Sequence, residues 1–269
     1  MTSFFASAEA PRGALLVLSG SSGRVEKDRV RALADHGFAA LSFRWFGGPG
    51  QPPGICEVPL ETFAPALDEL AGYADRLGIL GVSKGAEAAL LLACEDRRVD
   101  VVAALSPPST VWANVGPGRD GVAHPCRSSW SRDGVPLPFV GYDDTWHPPE
   151  VEGPTAFRQL YERSGQAAAE EARIPAERIV GQVILTAGGD DQMWPSETYV
   201  QQLADRRARH GLDTEVIVHP AAGHRLVLPG EVPPAPSAVH AHGGTDAADR
   251  ELGAMLLDAL LRAFPPVPP

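Results

Sequence analysis

Short, wholly apolar runs alternate along this chain with amphipathic segments, and this alternation narrows the choice of fold more than any other feature. The apolar runs are 14–19, 38–43, 76–83, 99–106, 180–188 and 213–220, and the segments with helical character are 25–36, 60–73, 86–94, 197–210 and 247–264. Strands that are apolar on every residue are typical of a parallel sheet with both faces covered. The pattern therefore predicts the α/β class, with a mostly parallel sheet and helices on both faces.

One long segment interrupts this rhythm between the fourth and fifth predicted strands. Residues 107–178 are rich in proline and glycine and carry Trp112, Trp130 and Trp146. A structureless loop of this length is uncommon in a compact domain, so we predict an inserted cap or lid. Its three indole rings either line an apolar substrate pocket or form a small core of the cap itself. No linker divides the chain, and we expect residues 1–269 to form one domain.

Composition excludes several classes of function. The net charge of −11 argues against non-specific binding to nucleic acid or to anionic membranes. No run of about 18 apolar residues is available to span a membrane, and residues 1–13 lack the basic and apolar parts of a secretion signal. The three cysteines match no metal or redox spacing. We therefore expect reduced thiols in a cytoplasmic protein; the oligomeric state stays open, with a homodimer among the choices.

A G-x-S-x-G motif spans Gly81 to Gly85 and stands between the predicted strand 76–83 and the helix-forming segment 86–94. This strand–turn–helix context is what makes the short motif informative, because a sharp turn there presents the serine hydroxyl above the sheet. Ser83 is the predicted nucleophile. The N–H groups at the start of the helix face a developing oxyanion, so the backbone N–H of Lys84 is one predicted donor. The second donor is predicted in the turn 20–23, at Ser21 or alternatively at Ser22.

The side chain of Lys84 departs from a local rule. A cation in the first turn of a helix is disfavoured by the helix dipole, and such departures often mark functional sites. Two interpretations follow: the ammonium group attracts an anionic substrate, or it points into solvent.

A serine nucleophile needs a general base and an acid that orients it. In this fold the acid and then the histidine follow later strands, in the order serine, acid, histidine. Asp191 follows the strand 180–188 and is the predicted acid, with the adjacent Asp190 as the alternative; His224 follows the strand 213–220 and is the predicted base. All three loops lie at the carboxyl edge of the sheet, where open α/β sheets place their sites.

The sequence predicts neither a metal nor a cofactor. The histidine and aspartate candidates do not fall at zinc-ligand spacings, and no glycine-rich dinucleotide fingerprint follows a strand.

Several motifs together resemble the catalytic domain shared by acyl-CoA thioesterases and bile acid-CoA:amino acid N-acyltransferases, a family with the α/β-hydrolase fold. They are GVSKGAEAALLLA (81–93), WANVG (112–116), GGDDQMWPSE (188–197) and HPAAGH (219–224). The resemblance runs from about residue 13 to residue 264. It implies an acyl-enzyme mechanism on an acyl-CoA or acyl-carrier thioester, with Ser83 as nucleophile, His224 as base and Asp191 as its orienter.

The chain departs from that family in two ways. Residues 1–13 alone precede the first predicted strand, so we expect the N-terminal β-sandwich domain of the eukaryotic members to be absent. The members that conjugate amino acids carry cysteine at the nucleophile position, where this chain has Ser83. Serine favours hydrolysis over transfer to an amine without forbidding transfer.

Thioester hydrolysis is therefore the leading hypothesis for function. A carboxylester hydrolase of the dienelactone-hydrolase kind, and an acyltransferase or offloading cyclase, would use the same three residues. A non-catalytic binding module would be expected to have lost one of them. The tryptophans of 107–178, taken together, favour an acyl group with some bulk or aromaticity.

Overall fold

The structure is a computed structural model that describes residues 2–150, 152–166 and 168–266, so the predicted domain and cap each include a few residues outside this range. Its ten strands are β1 (Ser3–Ser7), β2 (Ala14–Leu18), β3 (Ala39–Phe43), β4 (Val58–Pro59), β5 (Leu77–Val82), β6 (Val99–Leu105), β7 (Trp130–Arg132), β8 (Val135–Pro136), β9 (Gln182–Gly188) and β10 (Glu215–His219). Seven of them form one sheet in the order β1-β3-β2-β5-β6-β9-β10, and β4, β7 and β8 form a small second sheet.

Every neighbouring pair in the large sheet is parallel except β1 with β3. This arrangement confirms the predicted class of fold. The edge strand β1 was missed from the sequence, because it is short, lies at the sheet edge and is only partly buried. It therefore lacks the continuous apolar run that marks the central strands.

Helices cover both faces of the sheet. The described helices are α1 (Lys27–Asp35), α2 (Ala64–Leu70), α3 (Lys84–Glu95), α4 (Arg158–Gly165), α5 (Ser196–Ala208) and α6 (Asp246–Ala263). Successive side chains of a strand point to opposite faces. Leu16 and Leu18 of β2 accordingly pack in the core with α2, α3 and α5, whereas Leu15 and Val17 pack in the core with α1 and α6.

The predicted helix 60–73 is shorter than expected, because residues 60–63 form a 3₁₀ turn before α2 begins. Within residues 107–178 the described elements are β7, β8, α4 and two 3₁₀ turns. The segment is held to the rest of the chain by backbone bonds. Val58 N–H, for example, donates to the carbonyl oxygen of Ser129 at 2.9 Å, and Thr155 N–H donates to that of Val239 at 2.8 Å.

Candidate active site

Ser83 sits on a sharp turn between β5 and α3. Its backbone has φ 55° and ψ −119°, a conformation that residues other than glycine rarely adopt. A Cβ at Gly81 would lie 2.2 Å from the carbonyl oxygen of Gly85, and a Cβ at Gly85 would lie 2.4 Å from that of Ser19. Glycine is therefore required on both sides of Ser83, because backbone packs there with no room for a methyl group.

His224 and Asp191 meet at the carboxyl edge of the sheet. Nδ1 of His224 lies 2.7 Å from Oδ2 of Asp191, and both side chains are buried. Oδ1 of Asp191 accepts the N–H groups of Met193 at 2.8 Å and Trp194 at 3.2 Å, and the Ser196 hydroxyl donates to Oδ2. The carboxylate is thus fixed by its own loop, and Nε2 is the ring nitrogen of His224 left for other partners.

The neighbouring Asp190 has a different role. Its Oδ1 accepts from the side-chain amide of Gln192 at 2.8 Å, and its Oδ2 accepts the N–H of Gly244 at 2.8 Å. Asp190 therefore ties its loop to the segment before α6, and the acid beside the imidazole is Asp191.

Ser83 and His224 line one cavity of about 260 Å³. The loop after β2 forms part of its wall through Gly20, Ser21 and Ser22. Within the described residues, no hydrogen bond of 3.5 Å or less joins the Ser83 hydroxyl to His224. Ser83, with its strained backbone, and the imidazole of His224, in contact with Asp191, therefore line the same cavity.

Both predicted oxyanion donors lie beside this space. Ser21 lines the cavity, and Lys84 is the first residue of α3, directly after Ser83. Among the residues described, no acceptor oxygen takes the backbone N–H of either residue.

The side chain of Lys84 neither points into solvent nor lines the cavity that holds Ser83. It is 1% exposed, and its Nζ lies 2.8 Å from Oε2 of Glu87 and 2.7 Å from the hydroxyl oxygen of Ser129. Both expectations for the ammonium group are therefore wrong, because a buried carboxylate one turn along α3 pairs with it. Oε1 of Glu87 accepts the backbone N–H of Trp112 and the indole N–H of Trp130, each at 2.9 Å.

The three tryptophans do not line the cavity that holds Ser83. Trp112 and Trp130 are fully buried and Trp146 is 9% exposed. Trp112 packs against tyrosines, Trp130 packs against Trp45, and the indole N–H of Trp146 donates to Gln159 at 3.0 Å. Trp112 and Trp146 therefore pack with side chains of their own segment, as the second interpretation predicted. Trp130 fits neither interpretation, because it packs in the main core against Trp45 and Phe63, outside 107–178.

The cavity is instead walled by residues that the sequence analysis did not select. They lie on 24–29 and on 225–242, the segment between β10 and α6, and include Arg24, Glu26, Arg29, Arg225, Leu226, Pro234, Ser237, His240 and His242. The only sequence signal for 225–242 was its position directly after His224, since its proline-rich composition is that of an ordinary loop. His224 and His242 are joined through the main chain, because the N–H of His224 donates to the carbonyl oxygen of His242 at 2.8 Å.

In residues 2–150, 152–166 and 168–266, no group of three or more histidine, cysteine, aspartate or glutamate side chains is placed to hold an ion. None of the described helices combines the length and apolar character needed to cross a bilayer.

The large sheet is mostly parallel, a serine lies on a tight strand-to-helix turn, and a histidine–aspartate pair lies at the same edge of the sheet. Together these features define an α/β-hydrolase. Solved structures agree on the fold. An esterase from Pyrococcus furiosus matches with a TM-score of 0.55 and 13% sequence identity, over 98% of this chain and 93% of that one.

Within that class, the chain belongs to the BAAT / acyl-CoA thioester hydrolase C-terminal family, whose sequence model matches residues 62–246. It is 29% identical over 231 residues to acyl-coenzyme A thioesterase 6 of Mus musculus, and 26% identical over 231 residues to acyl-coenzyme A amino acid N-acyltransferase 2 of Rattus norvegicus. Each match covers 84% of this chain and 51% or 52% of the relative. The chain therefore spans about half the length of these relatives. The family resemblance predicted from the motifs is confirmed.

Proposed function

We propose that this protein hydrolyses acyl thioesters through an acyl-enzyme intermediate on Ser83, with His224 as general base and Asp191 as its orienting acid. The observation that carries the proposal is the 2.7 Å contact between Nδ1 of His224 and Oδ2 of Asp191 beside a cavity that Ser83 also lines. The family adds the substrate class, because its relatives are named for reactions of acyl-coenzyme A.

In the first step the Ser83 oxygen attacks the thioester carbonyl carbon while Nε2 of His224 takes its proton. Asp191 holds Nδ1 and stabilises the imidazolium that forms. The carbonyl oxygen becomes an oxyanion, which the N–H groups of Ser21 and Lys84 would stabilise. The carbon–sulfur bond then breaks, and the thiol leaves with the proton from His224.

In the second step water replaces the thiol. His224 takes a proton from water as the oxygen attacks the acyl carbon, and the bond to Ser83 breaks as the serine oxygen regains a proton. The products are a carboxylic acid, a free thiol and unchanged enzyme, so atoms and charge balance without a cofactor.

The proposal is tested by following free thiol release from a panel of acyl-CoA thioesters, with Ser83→Ala as the control. Wild type should release thiol well above the Ser83→Ala rate, and mass spectrometry should find the free acid. A serine-reactive phosphonate should label wild type at Ser83. Equal release by both proteins, with no phosphonate label, would refute it.

Acyl transfer is the second candidate, because some relatives are named as amino acid N-acyltransferases. Adding glycine or taurine to the same assay separates the two outcomes. An amide product in place of the free acid would favour transfer, and faster cleavage of matched oxygen esters would favour a carboxylesterase.

A further inference from the structure

Positive side chains surround the proposed catalytic cavity, although the chain as a whole carries a net charge of −11. Arg24, Arg29 and Arg225 line it, against the single carboxylate of Glu26. A local excess of one charge inside a small cavity acts on a bound ligand much more strongly than the distant surface charge does. Whether each guanidinium already has a carboxylate partner therefore decides which ligands the cavity binds.

Two of these arginines already have carboxylate partners. Nε of Arg24 lies 2.8 Å from Oε1 of Glu26. The buried Arg29 pairs with Glu231 at 3.1 Å and also donates to the carbonyl oxygen of Leu226 at 3.0 Å. Their charges are compensated by the protein.

Arg225 has no such partner. Its Nη1 donates to the carbonyl oxygen of Ala235 at 3.0 Å, and no described carboxylate lies within 4.0 Å of it. Burial, and then the charge of Arg24, lower the pKa of this guanidinium from its ordinary value, while Glu26 and Asp249 act on it only from a distance. Arginine stays protonated at neutral pH even so, and it keeps unused donors.

His242 of the same wall does not change this balance. Burial, followed by the charges of Arg225 and His224, lowers the pKa of His242 to about 4, so its ring is neutral at pH 7. Ser237 accepts N–H bonds from Val239 and His240 at 3.2 Å and 3.0 Å, so its hydroxyl proton is left to donate. His242 and Ser237 therefore add neutral polar groups beside the uncompensated cation of Arg225.

We propose that Arg225 forms an anion subsite that binds a carboxylate at the far end of the acyl group, so that the enzyme prefers carboxyl-terminated acyl thioesters to neutral ones of the same length. The inference rests on the proposed function and deepens it. Arg225 directly follows His224 in the chain and lines the cavity that holds Ser83. A guanidinium in that position matches the fork geometry of a carboxylate.

The size of the cavity favours an acyl carboxylate over the phosphates of coenzyme A. About 260 Å³ is less than the roughly 300–1,000 Å³ typical of sites for drug-sized ligands. It suits a short acyl chain and not a nucleotide, so the anion beside Arg225 is expected on the acyl side of the scissile bond.

The test compares hexanoyl with adipyl thioesters, which differ in one terminal carboxylate. Each is made both as the coenzyme A thioester and as the N-acetylcysteamine thioester, which has no phosphate. Wild type should show a higher kcat/KM for adipyl in both series. In Arg225→Gln the adipyl-to-hexanoyl ratio should fall about 10- to 100-fold, the range expected for losing hydrogen bonds to a charged group. Arg225→Lys should keep part of the preference.

Arg262→Gln is the matched control, because it removes the same charge from an exposed arginine near the end of α6 that pairs with Glu215. It should leave the ratio unchanged. General damage to the protein would lower kcat/KM for both substrates together and leave the ratio unchanged, since both use the same active site.

Calorimetry on Ser83→Ala gives the same comparison without turnover, as the ratio of Kd values for adipyl-CoA and hexanoyl-CoA. If neither thioester is hydrolysed but Ser83→Ala still binds adipyl-CoA more tightly through Arg225, the proposed function fails and the subsite stands. An unchanged ratio in Arg225→Gln overturns the subsite. A loss confined to coenzyme A thioesters, equal for both acyl groups, also overturns it and assigns Arg225 to phosphate.

Discussion

At the level of single residues, substituting each of the two adjacent aspartates should have a very different effect on kcat. Asp191→Asn should lower kcat about 10³- to 10⁴-fold, because an amide holds the wrong tautomer of the imidazole and cannot stabilise its protonated form. Asp190→Asn is the matched control and should lower kcat less than about threefold, since Asp190 contacts Gln192 and Gly244 and not His224. Steady-state kinetics on a thioester measures both, and equal losses would remove Asp191 from its proposed role.

We expect His242 to make the protein less stable in mild acid. Its pKa falls to about 4 in the folded state from an ordinary value near 6.5, mainly because of burial. Below pH 6.5 the unfolded chain therefore binds a proton that the folded chain does not, and the free energy of unfolding falls as the pH drops from about 6.5 to about 4. The ring is only half-buried, so solvent screening limits the loss to about 1–2 kcal/mol.

Urea unfolding at pH 7 and pH 4.5 measures this effect. His242→Gln should show a smaller difference between the two pH values than wild type. An identical difference in the two proteins would contradict an effect of His242.

At the level of elements, the carboxyl edge of the sheet was the part of the site most accessible to sequence analysis. Ser83 follows β5, Asp191 follows β9 and His224 follows β10, and each strand is an apolar run with glycine nearby. The G-x-S-x-G motif, the apolar runs and the chain order were therefore enough to select these three residues. The position of Asp191, three residues after Gly188 and four before Pro195, favoured it over Asp190. The remaining wall of the cavity depends on how the irregular segment 225–242 folds back, which no local pattern encodes.

The position of the Lys84 side chain could not be predicted from the sequence either. A lysine at the start of a helix has the same local context whether it faces solvent or a buried carboxylate. Glu87 lies three residues along the same helix, but its other hydrogen-bond partners, Trp112 and Trp130, are distant in sequence. Only tertiary structure distinguishes this pair from an ordinary exposed one.

Removing Glu87 should therefore be far more damaging than removing a similar partner at the surface. Glu87→Ala should lower the free energy of unfolding by about 3–5 kcal/mol, because it leaves Lys84 as an uncompensated buried charge. Asp28→Ala is the matched control: Asp28 pairs with Arg31 at the same i,i+3 spacing in α1, but both side chains are exposed, so about 0–1 kcal/mol is expected. Urea denaturation measures both, and comparable losses would contradict the buried pairing.

At the scale of the whole molecule, the three free cysteines report on the packing of the segment 107–178 and of the parts of the chain beside it. Cys126 is exposed, whereas Cys56 and Cys94 are buried. Burial raises the pKa of Cys94 to about 12 and also raises that of Cys56, so both stay thiols that react slowly. The Cys94 thiol also donates to the carbonyl oxygen of Pro175, which ties α3 to the end of that segment.

A thiol reagent added to the native protein at pH 8 should therefore modify one cysteine rapidly, and all three should react in 6 M guanidinium chloride. Cys126→Ser should remove the fast phase and leave the slow one, which identifies the exposed thiol. The slow phase should then follow opening of the structure, so a destabilised variant such as Glu87→Ala should accelerate it. Two or three fast thiols in the native protein would contradict the burial of Cys56 and Cys94.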